Sequence, residues 1–244
     1  MSIDLYGRTR RLELSDQNLR EWEAVVLASS PEGIVLDKSA FYPGGGGQPA
    51  DHGVLLWLGV ETRIVGVRKG EDLELIPAEG DPIPPAGTTV RAAVADERRS
   101  ALMRTHSALH VLCGVVFRDY GSLVTGGNME PFVARMDFNL PEVPPGFKQA
   151  IEDACNAEVA ADRRIDIRVL PRDEAFKIPD IIRTATNLVP ESAREVRIVD
   201  IVGLDCQADG GTHVASTKQI GRIKVAKIEN KGKGFRRVRI QVTD

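Results

Sequence analysis

Four histidines are present in this 244-residue sequence, and two of them lie at a spacing that suits metal binding. His106 and His110 are four residues apart, with Ser107 directly after the first. On a helix, residues at this spacing share one face, where two imidazole nitrogens can bind the same ion. The pattern indicates a divalent metal site, and the alternative is two histidines without a ligand. Zinc peptidases of the HExxH type are disfavoured because Ser107 stands where they carry glutamate.

A third histidine follows residue types that also bind metals. His213 comes four residues after Asp209 and seven after Cys206, and the intervening Gly210 and Gly211 permit a tight turn. Zinc accepts imidazole, thiolate and carboxylate ligands. Three histidines leave one position for Asp209, Cys206 or water. A weak fourth ligand favours a catalytic site, because catalytic zinc usually keeps one position open.

The elements that must position these residues fall into two predicted domains. Residues 1–95 contain short apolar runs separated by turn residues, which is typical of a small β-barrel or folded sheet. Residues 96–244 combine helical and strand patterns, so we predict an α+β domain with an antiparallel sheet. Helical apolar spacing over 105–117 places the histidine pair on a helix, and a second helix is predicted over 147–161. Phe132, Ala134, Met136 and Phe138 alternate as one face of a strand.

The composition is that of an ordinary globular protein, with 42% hydrophobic and 27% charged residues. No apolar run is long enough for a transmembrane helix, and the N-terminus lacks the pattern of a signal peptide. Three cysteines make a disulfide framework improbable and favour a reducing compartment. We therefore expect a cytoplasmic protein with no membrane partner. Cys113 and Cys155 are interpreted as buried, unreactive residues on the predicted helices.

One stretch near the C-terminus is strongly basic, although the net charge of the chain is −3. Residues 218–239 contain nine lysines and arginines and a single acid, Glu229. Eight of the nine fall in a predicted hairpin over 220–242. The local excess of positive charge indicates a site for a polyanion, and the alternative is a solvated strand face.

Three segments together resemble one known family. Residues 104–110 (RTHSALH) are similar to its zinc-binding HxxxH helix, 210–214 (GGTHV) to the end of its CGGTHV element, and 41–51 (FYPGGGGQPAD) to its glycine-rich motif. The family is the alanyl-tRNA editing proteins of the AlaX type, which share their editing domain with alanyl-tRNA synthetase. The likeness covers nearly the whole chain, and its length and β-rich N-terminal part resemble the medium-sized members.

The resemblance implies a metal-assisted hydrolase that cleaves the ester of mischarged tRNA. The implied cargo is serine on alanine tRNA, with glycine as a second choice, and the implied cofactor is one zinc ion per chain. The implied ligands are His106, His110, His213 and the residue at the family's cysteine position, which is Asp209 here. Carboxylate is a harder ligand than thiolate, so we expect weaker zinc binding or competition from another divalent ion.

The resemblance also suggests residues that meet the substrate. Gln48 ends the glycine-rich run, which approaches the editing site in the family; a flexible turn is the alternative. The run is not a P-loop, because no Lys-Ser or Lys-Thr pair follows it. A site that hydrogen-bonds the serine hydroxyl would spare correct alanine esters. Thr125 is the candidate for that contact, and an ordinary turn residue is the alternative.

The basic hairpin is expected to contact phosphates of the tRNA acceptor stem. The residues expected to do so are Lys231, Lys233, Arg236, Arg237 and Arg239. Two other functions stay open from the residues alone. One is a metal-dependent hydrolase of another small ester or amide. The other is a noncatalytic tRNA-binding module with a structural metal.

Overall fold

The computed structural model describes residues 5–244, and these divide into two compact units. The first unit runs to Gly45 and resumes over Pro49–Ser100. The second contains Gly46–Gln48 and Ala101–Asp244, so the tip of the glycine-rich motif belongs to it. The sequence predicted two domains with a boundary between residues 95 and 96. Compact units are not necessarily domains that fold independently, so this boundary stays a prediction.

The first unit is built from strands. Their bounds are β1 (Leu5–Tyr6), β2 (Thr9–Arg11), β3 (Glu21–Ser30), β4 (Gly33–Leu36), β5 (Lys38–Ser39), β6 (Gly53–Trp57), β7 (Val60–Lys69), β8 (Leu73–Pro77) and β9 (Thr89–Val94). Six of them close into a barrel in the order β3-β4-β8-β7-β6-β9. Alternation along β3 turns Trp22, Ala24 and Val26 into the barrel core, as the two-residue period of a strand requires. The predicted small β-barrel is confirmed.

The second unit mixes helices and strands. Its helices are α1 (Asp96–Tyr120), whose first turn belongs to the first unit, α2 (Phe147–Ala160), the short α3 (Arg172–Ala175) and a 3₁₀ turn over Thr217–Ile220. Its strands are β10 (Val124–Glu130), β11 (Val133–Phe138), β12 (Ile165–Pro171), β13 (Glu195–Ile201), β14 (Asp205–Ala208), β15 (Arg222–Asn230) and β16 (Arg236–Thr243).

Two antiparallel sheets and the two long helices surround one core in this unit. The sheets have the strand orders β10-β11-β16-β15 and β12-β13-β14. Leu109 and Leu112 of α1 and Ile151 of α2 pack with inward residues of both sheets, such as Val238 and Val199. This arrangement confirms the α+β class, and it fixes α1 against the sheets along its length.

The bounds of α1 follow from its sequence. The helix ends before Gly121, which adopts a left-handed φ of 63° that favours glycine. Within the helix, Gly114 lies against the strand β14 region, where an added Cβ would come within 2.8 Å of Leu204. Glycine therefore lets this helix approach the chain that leads toward Asp209.

One detail of the predicted strand pattern is wrong. Phe132 does not extend the buried face of Ala134, Met136 and Phe138, because it lies in the turn between β10 and β11 with a φ of 64°. The residue is 40% exposed, and the Arg104 guanidinium lies 5.1 Å from the centroid of its ring. In the part of the chain that the structure describes, no helix is long and apolar enough to cross a membrane.

Candidate metal centre

The helix α1 and the loop after β14 bring three imidazoles together. The ring centroids of His106 and His110 are 5.0 Å apart, and that of His213 lies 4.4 Å and 4.5 Å from them. The Asp209 carboxylate joins them, with 3.0 Å between Oδ2 and His213 Nε2 and 3.7 Å between Oδ1 and His106 Nε2. One ligand atom from each of the four residues lies within 4.8 Å of the others.

These four residues form a group that could hold a metal ion. Three imidazoles and a carboxylate are a donor set that zinc accepts. Donor atoms around one tetrahedral zinc lie roughly 3.4 Å apart, given bonds of about 2.0–2.1 Å. The nitrogen–oxygen distances of 3.0 and 3.7 Å fall on either side of that value. The residues that the sequence singled out therefore fit the ion that the family resemblance implies.

The turn at Gly210 and Gly211 is shaped by its contacts with this cluster. A Cβ on Gly211 would overlap the imidazole of His106, whereas one on Gly210 would point into open space. The Gly211 amide also donates a hydrogen bond of 2.6 Å to Asp209 Oδ2. Glycine at 211 is therefore a steric requirement of the cluster.

Each imidazole meets a different polar side chain at Nδ1, on the edge that faces away from the cluster. The three pairs are His106 with Gln48 Oε1 (2.9 Å), His213 with Ser107 Oγ (3.2 Å) and His110 with Asp205 Oδ2 (3.3 Å). Such partners hold the rings in place. At His106, the amide oxygen of Gln48 can only accept, which favours a proton on Nδ1 and leaves the lone pair of Nε2 available to a metal ion. At His110, the Asp205 carboxylate accepts in the same way, whereas Gln207 Nε2, 3.2 Å from the same Nδ1, can only donate.

Gln48 is anchored firmly at this position. Its buried side chain donates to Thr212 Oγ1 at 2.9 Å, and its Oε1 also accepts from the Thr212 amide at 3.0 Å. The carbonyl of Gly47 accepts a hydrogen bond of 3.1 Å from the Met129 amide of β10. Gly46–Gln48 thus forms part of the wall of the histidine cluster, and Gln48 contacts His106 directly.

Sequence reasoning missed the acid that holds His110. Asp205 is fully buried; its Oδ1 accepts from Arg183 Nε at 3.1 Å and its Oδ2 from Gln207 Nε2 at 2.6 Å. The Arg183 guanidinium in turn stacks 3.9 Å from the centroid of Phe117. The two-residue alternation of Asp205, Gln207 and Asp209 was the available signal, since alternate strand residues share a face.

Cys206, which the sequence left open as a fourth ligand, is outside the cluster. It lies between Asp205 and Gln207 on β14 and packs against the small apolar group that includes Ala175 and Ile181. Among the described residues, the metal-binding group contains Asp209 and no thiol.

Three of the four residues of the cluster have lowered pKa values. Burial lowers the pKa of His106 to about 4, although the Asp209 charge acts in the opposite direction. Burial also lowers the pKa of His213 well below its usual range. The pKa of Asp209 lies well below its usual range because the nearby histidines outweigh the effect of burial. Two imidazoles are therefore neutral and the carboxylate is charged at neutral pH, as metal ligands must be.

His110 differs from the other two imidazoles. Burial lowers its pKa, but the hydrogen bond with Asp205 and the charge of Asp209 outweigh burial, so that the pKa is raised overall. The buried positive charge of Arg197, whose Nη1 donates to the Asp209 carbonyl at 3.0 Å, acts in the opposite direction on His110. A metal ion bound here would compete with a proton on His110.

The other predicted site residues are not part of this cluster and belong to the sheet β10-β11-β16-β15 or its β15–β16 turn. Thr125 is exposed as the second residue of β10, and Lys231 and Lys233 are exposed in the turn between β15 and β16. The three hairpin arginines make contacts within the unit. Arg236 donates to the Pro141 carbonyl at 3.0 Å, Arg237 to both oxygens of Asp137 at 2.7 and 2.8 Å, and Arg239 to Glu229 at 2.8 Å.

The amino-acid sequence is similar to that of known proteins. A family model described as "Threonyl and Alanyl tRNA synthetase second additional domain" matches residues 196–239, which include Asp205, Asp209 and His213. Alanine–tRNA ligase of Pyrobaculum neutrophilum is 38% identical over 230 residues, covering 91% of this chain and 25% of that protein.

Two relatives match over nearly their whole length. Alanyl-tRNA editing protein AlaX-M of Saccharolobus solfataricus is 38% identical over 232 residues, which are 94% of this chain and 97% of that protein. The AlaX-M protein of Methanosarcina acetivorans is 34% identical over 244 residues, with 97% and 100% covered. The resemblance carried by the three motifs is thereby confirmed, and the chain belongs to the AlaX-M family of alanyl-tRNA editing proteins.

Proposed function

We propose that this protein is a trans-editing hydrolase that cleaves the aminoacyl ester of mischarged tRNA, with Ser-tRNA(Ala) as its main substrate. The observation that carries the proposal is the convergence of His106, His110, Asp209 and His213. It occurs in a chain whose full-length relatives are named alanyl-tRNA editing proteins. The tRNA partner and a cytoplasmic place of work belong to the same proposal.

The proposed cofactor is one zinc ion, held by the three imidazoles and the Asp209 carboxylate. When bound, zinc supplies a Lewis acid that polarises an ester carbonyl or lowers the pKa of water. Burial keeps the His106 and His213 imidazoles neutral, and Gln48, Ser107 and Asp205 orient the three rings. The carboxylate at position 209 is the ligand that distinguishes this centre from one with a thiolate.

Gln48 has two proposed roles, one toward His106 and one toward the substrate. Its Oε1 holds His106 Nδ1 and the Thr212 amide, which orients the ligand ring. The adjoining glycine tip also lies along β10, the strand that carries Thr125. Gln48 is therefore proposed to line the entry to the centre, where it would meet the terminal adenosine or the amino acid.

Thr125 is proposed to hydrogen-bond the hydroxyl of a misplaced serine. A pocket that binds the hydroxyl selects serine over alanine far better than an apolar pocket could reject it. Thr125→Val keeps the shape of the side chain and removes the hydroxyl, so it is expected to slow serine release by roughly tenfold or more relative to glycine release. The measurement is single-turnover deacylation of Ser-tRNA(Ala) and Gly-tRNA(Ala). Equal losses on both esters would remove Thr125 from the pocket.

The positive hairpin is proposed to bind the acceptor end of the tRNA. Lys231 and Lys233 project from its turn, and Arg236, Arg237 and Arg239 lie on the strand that follows. Phosphate contacts of this kind position an RNA without reading its sequence. The proposal places affinity in this region and leaves cargo selection to the metal centre.

The proposed function is tested by deacylation of Ser-tRNA(Ala) by the zinc-loaded protein, before and after dialysis against a chelator. We expect release of serine that stops on chelation and returns when zinc is restored. His110→Ala is the matched variant, because it removes one proposed ligand. It should behave like the chelated wild-type protein. Correctly charged Ala-tRNA(Ala) serves as the control, and its ester should not be hydrolysed.

Two other outcomes would replace this function with another. Hydrolysis of small esters that bulk tRNA does not inhibit would indicate a metal hydrolase with a different substrate. Tight binding of tRNA without any release of serine, together with a metal that exchanges with no effect on binding, would indicate a noncatalytic module with a structural metal.

A further inference from the structure

The sheet β10-β11-β16-β15 has a polar face opposite the core of the second unit. Along β11 and β16, Ala134, Met136, Val238 and Ile240 point into the core. The alternate residues therefore lie on the other face, as strand geometry requires. This open face carries the charged residues Arg135, Asp137, Arg237 and Arg239, and on β15 the residues Arg222, Lys224, Lys227 and Glu229.

Three cations on this open face stand side by side in one row across the strands. Arg135 of β11 is paired in register with Arg239 of β16, and Arg239 is paired with Lys227 of β15. Like charges directly opposite one another on a sheet are destabilising. A row of three such residues lowers stability unless nearby anions, or a bound anion, offset the repulsion.

The neighbouring acids offset only part of this charge. Asp137 accepts hydrogen bonds from Arg237 and also lies 3.4 Å from Arg135. Glu229 is 2.8 Å from Arg239 and 3.0 Å from Lys227. Each carboxylate is thus shared by two cations.

The open face carries six cationic and three anionic side chains, so that its net charge is +3. The cations are Arg135, Arg222, Lys224, Lys227, Arg237 and Arg239, and the anions are Glu130, Asp137 and Glu229. The whole chain has a net charge of −3, so this face is positive on a negative protein.

The open face contains a shallow cavity. Its volume is about 280 Å³, and its polar lining residues are Asn128, Glu130, Arg135, Arg239 and Gln241. The arginine, asparagine and glutamine side chains among them offer guanidinium and amide N–H donors, which are the groups that bind phosphate oxygens. Arg239 is 44% exposed and Lys227 66%, so both can reach a ligand.

The strand β10 connects this cavity with the histidine cluster through two contacts. Asn128 is next to Met129, whose amide donates to the Gly47 carbonyl. The residue after Gly47, Gln48, contacts the His106 ring. The same strand therefore lines the cavity and holds the glycine tip that contacts the cluster.

We infer that the open face of this sheet is a docking surface for the phosphate backbone of RNA, with Arg135, Lys227 and Arg239 as its central contacts. The inference rests on the proposed function and makes it more specific: the base-paired acceptor stem would lie on the open face while its 3′ end passes the β10 edge. Charge complementarity carries the choice of occupant. The Arg135 and Lys227 contacts extend the positive site beyond the hairpin turn to the centre of the sheet.

The test compares two doubly substituted proteins of equal charge. Arg135→Gln with Lys227→Gln removes two contacts from the open face. Arg68→Gln with Arg91→Gln removes two exposed arginines from the barrel, each of which also pairs with one acid, Glu74 or Glu21. Binding of uncharged tRNA(Ala) is measured by fluorescence anisotropy from roughly 50 to 200 mM salt. Metal content and melting temperature are checked for each protein.

We expect the open-face variant to bind tRNA about tenfold more weakly at the lowest salt and to show a shallower salt dependence, by roughly 1–2 in the log–log slope. The barrel variant should match the wild type. Equal binding by the two variants would overturn the inference. A change in oligomeric mass of the open-face variant, measured by sedimentation, would also overturn it by assigning the face to a second copy of the chain.

The inference and the proposed function fail in different ways. If the wild type released no serine from a short seryl-CCA oligonucleotide or from Ser-tRNA(Ala), the function would fail whatever the tRNA affinity. If the wild type released serine from both substrates while both double variants bound tRNA equally, the hydrolase would stand and the open face would have no role.

Discussion

At the scale of single residues, the cluster depends as much on its outer contacts as on the four candidate ligand residues. Three different groups hold the three rings: an amide, a hydroxyl and a carboxylate. The carboxylate differs from the other two because it carries charge. The Arg183 guanidinium balances the negative charge of Asp205 by contacting Oδ1. The other carboxylate oxygen, Oδ2, keeps its contact with His110. A metal–histidine–carboxylate chain of this kind raises the basicity of the ligand ring.

Replacing Asp205 by asparagine tests this chain. The amide keeps the size of the side chain but removes the charge that favours His110 as a ligand. We expect zinc affinity to fall by roughly 10–100-fold, measured by competition with a chromophoric chelator. Cys206→Ser changes the adjacent residue of the same strand and should leave the affinity unaltered. An unchanged affinity for Asp205→Asn would show that Asp205 has only a packing role.

The sequence revealed some of these residues and concealed others for a physical reason. The grouping of the three histidines could be predicted because His106 and His110 share a helical face and His213 follows a glycine turn, which are local relations. The contact of Asp205 with His110 joins residues 95 positions apart, and Arg183 comes from an irregular segment without periodicity. Such contacts depend on how strands and helices pack, which no local pattern specifies.

At the scale of elements, α1 and the turn at Gly210–Gly211 must approach closely for the cluster to form. The helix is fixed in the core by residues such as Leu109 and Leu112, which leaves the turn as the part that can adapt. The periodicity of the apolar residues was enough to predict α1. The left-handed position of Phe132 could not be predicted, because a bulky aromatic residue rarely occupies such a turn.

Alanine at each glycine of the turn tests this approach. Gly211→Ala is expected to displace His106 and to abolish stoichiometric zinc binding, because the added methyl overlaps the ring. Gly210→Ala adds the same methyl in open space and should retain zinc and activity. Zinc content after gel filtration is the measurement. Retention of zinc by both variants would mean that the helix or the turn can move to accommodate the methyl group.

At the scale of the whole molecule, the chain contains two compact units with separate apolar cores. Both tryptophans, Trp22 and Trp57, lie in the first unit. The long helix α2 and most of α1 lie in the second, together with the metal cluster. Fluorescence and helical circular dichroism therefore report on different parts of the molecule.

This separation makes the proposed domain boundary measurable. If the two parts fold independently, chelation should lower the melting temperature seen by circular dichroism at 222 nm and leave the tryptophan transition in place, because a metal stabilises only the state that binds it. The His110→Ala protein should show the same pattern without a chelator. Coincident shifts in both signals would show that the two units unfold as one cooperative body.

The carboxylate at position 209 has a consequence for the conditions in which the centre can work. Thiolate ligands are the parts of zinc sites that peroxides attack, and their oxidation to sulfenic or sulfinic acid releases the metal. Imidazole and carboxylate offer no such sulfur atom. The remaining thiols of α1 and α2 are buried, and burial raises the pKa of Cys113 well above its usual range and that of Cys155 to about 12. A centre built in this way would keep its metal through an oxidative stress that empties a site with a thiolate ligand.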